Sequence, residues 1–201
     1  MQANVIGRVR NTQLPKHHGL LPLYETIVNS IDAIEDTGDD ATQEKIRIRI
    51  LRNPSLPGLG AHEGSQPEKR SLNPIRGFEI EDTGIGFTTD NFDAFNESDT
   101  QFKAKKGGKG IGRFLWLKAF EKVEIESHYL EDGKAQHRTF QFSLGSPGGV
   151  HDHRLEQTTG GGPRRTVVRL LNFHVEYESQ IPRSSRKIAQ RIVEHCLKYY
   201  Y

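Results

Sequence analysis

From Leu23 to Ile34 the apolar residues Leu23, Ile27, Ile31 and Ile34 recur every three or four positions, with no Gly or Pro inside the run. That period predicts an amphipathic helix. Pro22 suits its first turn, and Asp36-Thr37-Gly38-Asp39-Asp40 is a turn cluster that ends it. The period then drops to two. Lys45-Ile46-Arg47-Ile48-Arg49-Ile50-Leu51 alternates strictly, which predicts a half-buried strand with its isoleucines inward. Residues 53–75 carry Pro54, Pro57, Pro67 and Pro74 and read as a surface excursion before the next strand, Gly77–Asp82.

A short helix is predicted over Asp90–Phe95. A second is predicted over Ile111–Phe120, with Phe114, Leu115, Leu117 and Phe120 for burial and Trp116 in the core. Strands follow at Lys122–Tyr129, Arg138–Leu144, more weakly near Val150–Leu155, and at Arg165–Leu171. Glu131-Asp132-Gly133 signals a hairpin between the first two, and Gly160-Gly161-Gly162-Pro163 a loop. Ile188, Ile192, Val193, Cys196 and Leu197 stand at helical spacing in Arg183–Tyr201. Residues 1–19 read as an N-terminal arm with a short apolar-alternating piece at Val5 and Val9. Clustered strands with segregated helices predict an α+β fold, a two-layer α/β sandwich. The expectation is one domain over 20–175, with the C-terminal helix, 176–201, leading on into a further domain.

Composition narrows this picture little. The length suits one domain with a real core. An apolar fraction of 34% with 20 glycines fits an ordinary core carrying long polar loops. A net charge of +2 makes no case for nucleic acid on charge alone. The single cysteine, Cys196, excludes an intrachain disulfide and a cysteine-cluster metal site. The first residues lack the apolar stretch of a signal peptide, and no run is long and apolar enough to span a membrane. A cytoplasmic protein is the expectation.

Three stretches carry candidate chemistry. On the first helix Glu25, Asn29 and Asp32 stand at i, i+4 and i+7 and share one face. Asn and Asp favour caps and turns over helix interiors, so this stripe is either a solvated face or a site. In the second stretch Asp82 ends a strand and Gly84 and Gly86 follow. Such glycines allow a tight turn and close approach of backbone to a ligand, and Asp82 is placed to accept a hydrogen bond from a ligand amine. Alone, an Asp-Thr-Gly turn is common.

The third stretch, Lys106-Gly107-Gly108-Lys109-Gly110-Ile111-Gly112-Arg113-Phe114, is a glycine loop entering a helix. It offers N–H groups and a positive dipole to phosphates. It lacks the Gly-Lys-Ser/Thr of a Walker A loop, and it follows a polar loop, not the strand a Rossmann fingerprint needs. Lys103, Lys105, Lys106 and Lys109 form either a solvated basic loop or a lid reaching phosphate oxygens, with Lys103 and Lys109 best placed. Arg113 sits at a helix start, where a cation opposes the dipole, which favours a role toward phosphate or a partner.

In this order the stretches resemble the boxes of the GHKL ATPase superfamily, which includes gyrase, heat-shock chaperones of the ninety-kilodalton class, histidine kinases and MutL. Glu25, Asn29 and Asp32-Ala33 are similar to its N box, Asp82-Thr83-Gly84-Ile85-Gly86 to its second box, and Gly108-Lys109-Gly110-Ile111-Gly112 to its third. Arg165-Thr166-Val167-Val168 adds a weaker fourth match. The resemblance covers about residues 20–175. It implies the Bergerat fold, a mixed and mostly antiparallel sheet with helices on one face and ATP held under a lid. It implies that Asn29 coordinates Mg²⁺ with Asp32 in support, and that Asp82 binds the adenine amino group, backed by Thr166. Gly84 and Gly86 would bring backbone to the base. Gly108, Gly110, Ile111 and Gly112, with Lys103 and Lys109, would close over the phosphates.

Glu25 decides the activity the resemblance implies. In hydrolysing branches a Glu here polarises the attacking water, help worth roughly 10²–10⁴-fold in rate. Among nine histidines, His17 and His18 lie in the arm and His195 on the last helix, and no phospho-acceptor helix is evident. The expectation is Mg²⁺-dependent ATP binding and slow hydrolysis, driving lid closure and homodimerisation or engagement of a partner protein. The alternatives are a histidine or serine protein kinase domain and a non-hydrolysing nucleotide-gated module of DNA-repair or defence type.

Overall fold

The computed structural model describes residues 5–38, 45–54, 73–97, 112–146, 148–159 and 162–197. In chain order they form α1 (Val5–Asn11), a 3-10 turn (Lys16–His18), α2 (Leu21–Glu35), β1 (Ile46–Arg52), β2 (Ile75–Asp82), α3 (Thr89–Asn96) and α4 (Gly112–Ala119). There follow β3 (Phe120–Glu131), β4 (Lys134–Ser143), β5 (Val150–Gln157), β6 (Arg165–Phe173), α5 (Val175–Glu178) and α6 (Ser185–Cys196). The six strands make one sheet in the order β1-β2-β6-β3-β4-β5. Every neighbouring pair is antiparallel, so the mixed sheet expected from the resemblance is antiparallel throughout these strands.

The two layers follow from alternation. Phe78 and Ile80 on β2, Val123 and Ile125 on β3, Phe140 and Phe142 on β4, and Val168 and Leu170 on β6 are all buried. They form one core with Leu23 and Ile27 of α2 and Phe114, Leu115, Trp116 and Leu117 of α4. Each such side chain contributes about 1.5–3 kcal/mol by leaving water. The fold is therefore α+β, a sheet with a helix layer. No helix among the described residues is long and apolar enough to cross a membrane.

Asp132 and Gly133 join β3 to β4 with φ of 51° and 72°. Two positive φ values in a two-residue loop suit the right-handed twist of the hairpin strands. The turn fixes the register, pairing Glu131 with Lys134 and His128 with His137.

The structure departs from the sequence reading in several places. Val5 and Val9 are one helical turn apart, both buried, on α1; the expected extended piece is a helix. The buried stripe of α2 is Leu23, Thr26, Ile27 and Ser30, so two hydroxyls take places expected for Ile31 and Ile34. On α6, Ile188 and Cys196 are buried, while Val193 and Leu197 are about half exposed, at 56% and 47%. The excursion expected within 53–75 lies largely outside the described residues, which resume at Asn73. Its flanks are tied where the Asn53 N–H donates to the Pro74 carbonyl at 3.1 Å.

The other sheet face is charged. Glu81 pairs with Arg47 (2.8 Å) and Arg165 (2.9 Å), and Glu79 pairs with Arg49 and with Arg169 (2.8 Å). Arg169 also reaches Glu126 at 3.4 Å. These ion pairs run across β1, β2, β6 and β3 on residues that alternate with the core. Single exposed pairs stabilise little, and a network does more.

Candidate functional site

One row of cross-strand partners is polar where its neighbours are apolar. Asp82 on β2 stands opposite Thr166 on β6, and Thr166 stands opposite Ser127 on β3. Ser127 in turn stands opposite Arg138 on β4. All four are at least 96% buried, and buried polar groups persist only when hydrogen-bonded. The Ser30 hydroxyl of α2 donates to Asp82 Oδ2 at 2.8 Å, and the Gly84 N–H donates to Asp82 Oδ1 at 3.0 Å. Ser127 Oγ and Thr166 Oγ1 share a hydrogen bond of 2.9 Å, and Ser127 Oγ accepts from the Phe87 N–H at 3.0 Å.

The loop Asp82-Thr83-Gly84-Ile85-Gly86 wraps this row. Its loop is docked on α2, since the Ile85 N–H donates to the Ala33 carbonyl at 3.0 Å. A Cβ added at Gly84 would meet the Ala33 backbone at 2.7 Å. Gly86 has φ of +81°, and a Cβ there would lie 2.7 Å from Ser127 Oγ and 2.8 Å from Tyr129 Cβ. Both contacts are below what a real Cβ tolerates, and a positive φ of this size favours glycine. The Gly86 carbonyl accepts from Asn91 Nδ2 of α3 at 2.8 Å, so the loop is held from both sides.

Glu25, Asn29 and Asp32 lie partly buried along α2, on the stripe that the helical period assigns them. Glu25 lies beside Gly112, because a Cβ there would come within 2.6 Å of Glu25 Oε2. Gly112 opens α4, so the Glu25 carboxylate lies against the first turn of that helix, where negative charge is favoured. Lys103, Gly108, Lys109, Gly110 and Ile111 lie outside the described residues. Arg113 donates from Nη2 to the Glu97 carbonyl at 3.0 Å and lies over the Phe95 and Phe114 rings at 5.3 and 5.0 Å. It thereby staples α4 to the end of α3, a structural job that the sequence reading had not assigned.

The described members of the three sequence stretches lie close to one another. Asp82 and Thr166 are cross-strand partners, Gly84 packs on Ala33 of α2, and Gly112 packs on Glu25. Sequence reasoning missed Ser30 and Ser127. The signal was present: Ser127 occupies an inward position in the alternation Val123, Ile125, Ser127, Tyr129, and Ser30 lies seven residues after Leu23 on the buried stripe.

Arg138, buried and large, borders the site. Its Nε donates to Tyr129 Oη at 3.1 Å and its guanidinium covers the Phe92 ring of α3 at 4.4 Å. Phe92 also stacks on His153. Burial, reinforced by the nearby Arg138 charge, pulls the His153 imidazole below its ordinary value. Burial pushes the Tyr129 hydroxyl up, against the hydrogen bond and charge of Arg138. Tyr24, next to Glu25, stacks on His195 of α6 at 4.3 Å, and burial pushes its hydroxyl up as well. A separate recess lined by Pro74, Arg76, Asn172 and Glu178 lies at the opposite end of β2 and β6 from Asp82 and Thr166.

No protein-family model matches the chain, and no curated protein matches it in sequence.

Proposed function

We propose that the chain binds Mg²⁺-ATP between α2 and the polar row of the sheet, and hydrolyses it slowly, as a GHKL-type domain of Bergerat fold. The observation that carries this reading is Asp82. A carboxylate buried at a strand end costs stability that its hydrogen bonds from Ser30 and Gly84 offset. Here it stands in a row of hydroxyls beside two glycines whose missing side chains leave backbone close by. In this reading Asp82 accepts the adenine amino group and Thr166 and Ser127 hold the base edge through their linked hydroxyls. Asn29 presents a hard amide oxygen, of the kind Mg²⁺ takes in ones and twos alongside phosphate and water, and Asp32 lies one turn further on the same face. Glu25 accepts a proton from the attacking water. Lys103, Gly108, Lys109, Gly110 and Ile111, which lie outside the described residues, are the candidates for phosphate contact, and nucleotide binding favours a second copy or a partner protein.

The proximity of Glu25 to Gly112 supports hydrolysis over transfer to a protein, because it brings a carboxylate of α2 to the last residue of the glycine loop. Two variants test the proposal. Asp82→Asn should abolish Mg²⁺-ATP binding, while Glu25→Ala should keep binding and lower turnover by about 10²–10⁴-fold. Wild-type chain that binds no Mg²⁺-ATP at millimolar concentration refutes the nucleotide site. Unchanged turnover in Glu25→Ala refutes the base and leaves a nucleotide-gated binding module.

A further inference from the structure

On the charged face of the sheet, behind the candidate nucleotide site, Glu126, His128 and His137 bring three ligand atoms within 4.8 Å of one another. We propose that these residues form a binding site for a divalent transition metal of the Zn²⁺ class, separate from any Mg²⁺ that accompanies ATP.

The arrangement follows from strand geometry. Glu126 and His128 are two residues apart on β3, so both project from the same face. The tight turn at Asp132-Gly133 sets His137 of β4 directly opposite His128, where side chains of a pair stand about 4.5–5.5 Å apart at Cβ. His128 Nε2 lies 3.4 Å and His137 Nε2 lies 3.8 Å from the same oxygen, Glu126 Oε1. Zn–N bonds of about 2.0–2.1 Å and Zn–O bonds of about 2.0–2.2 Å in a tetrahedral shell put donor atoms roughly 3.3–3.5 Å apart. Two edges of the triangle are therefore already near that size.

Two further observations point to a ligand. His137 Nε2 is buried and makes no hydrogen bond, so a donor atom capable of ligation is left over. The other carboxylate oxygen, Glu126 Oε2, is held by both Arg169 Nη1 and Nη2 at 3.4 Å, which turns Oε1 toward the histidines. Arg169 is itself fixed by Glu79 at 2.8 Å. Ligating carboxylates are commonly held by such outer hydrogen bonds. The two imidazoles are stacked, 4.1 Å apart and within 7° of parallel. Converging both lone pairs on one ion requires the rings to tilt, and the χ2 torsion of His has a broad minimum that permits it.

Two imidazoles and one carboxylate suit Zn²⁺, Co²⁺, Ni²⁺ or Cu²⁺ rather than Mg²⁺, which prefers an all-oxygen octahedron. Three protein ligands on an open sheet face leave a coordination position for water or an incoming group. Ser127, between two of the ligands, points to the opposite face and into the polar row, so one short stretch of β3 serves both sites.

The test is titration of the metal-stripped full chain with Zn²⁺ and Co²⁺ in the presence of excess Mg²⁺. The expected result is one Zn²⁺ per chain by calorimetry, and a visible ligand-field spectrum of low-coordinate Co²⁺ that Zn²⁺ displaces. His137→Ala and Glu126→Gln should each weaken binding by about tenfold or more with an unchanged circular dichroism spectrum, and His17→Ala should have no effect. Absence of stoichiometric binding overturns the site, and so does equal affinity in wild type and His137→Ala. None of these readouts depends on ATP.

Discussion

Asp82 receives two hydrogen bonds from groups that a nucleotide would not displace, the Ser30 hydroxyl and the Gly84 N–H. Losing one partner of a buried acceptor costs about 1–3 kcal/mol, because the remaining atom keeps its desolvation penalty. Ser30→Ala should therefore lower the unfolding free energy by an amount in that range, read as a lower urea midpoint at unchanged m-value. Unchanged stability would mean that Asp82 is satisfied without Ser30. Much at this scale was legible beforehand. Asp82, Gly84 and Gly86 announce a strand end and a turn, and the structure puts Asp82 in the core beside a loop with no room for a Cβ at Gly84 or Gly86. Ser30 and Ser127 were not singled out, because Ser carries no propensity signal on a buried stripe. Their importance comes from tertiary contacts, Ser127 with Thr166 across the strands and Ser30 with Asp82 from helix to sheet, 39 and 52 positions apart.

At the scale of elements, period carried the reading. The alternation of Lys45–Leu51 became β1, and its outward arginines meet the outward Glu79 and Glu81 of β2. That complementary pattern, basic at every second place in one strand and acidic in the other, was a pairing signal left unused. Period failed where two residues had to stand for a whole element. Val5 and Val9 fit either a helix or a strand edge, and contact with the helix layer decided for α1. On α6 the apolar stripe was read as wider than the surface it meets, which leaves Val193 outside. Metal-site geometry was also out of reach, since it needs the hairpin register as well as the residues of two strands.

Across the whole molecule, burial of tyrosines makes stability depend on alkaline pH. Burial raises the hydroxyls of Tyr24, Tyr129 and Tyr177 above their ordinary 10.0 and the Cys196 thiol above 9.0. These groups keep their protons in the folded chain at pH values where the unfolded chain has lost them. The folded state then holds more protons, so stability is fully present below about pH 9 and falls as pH rises through the raised values. Urea midpoints measured from pH 8 upward should decline, and Tyr129→Phe should shallow the slope; a flat profile would contradict the burial account. The same sheet places a polar row on one face and a charged network on the other, and the central claim is that the first of these receives ATP. The most direct measurement is an amide NMR titration of the full chain with Mg²⁺ and a non-hydrolysable ATP analogue. The account predicts shifts concentrated at Gly84, Gly86, Ser127, Thr166 and the Glu25–Asp32 face of α2, quiet signals at Arg47 and Arg49, and loss of the response in Asp82→Asn. Shifts that cluster elsewhere, or survive in Asp82→Asn, would contradict it.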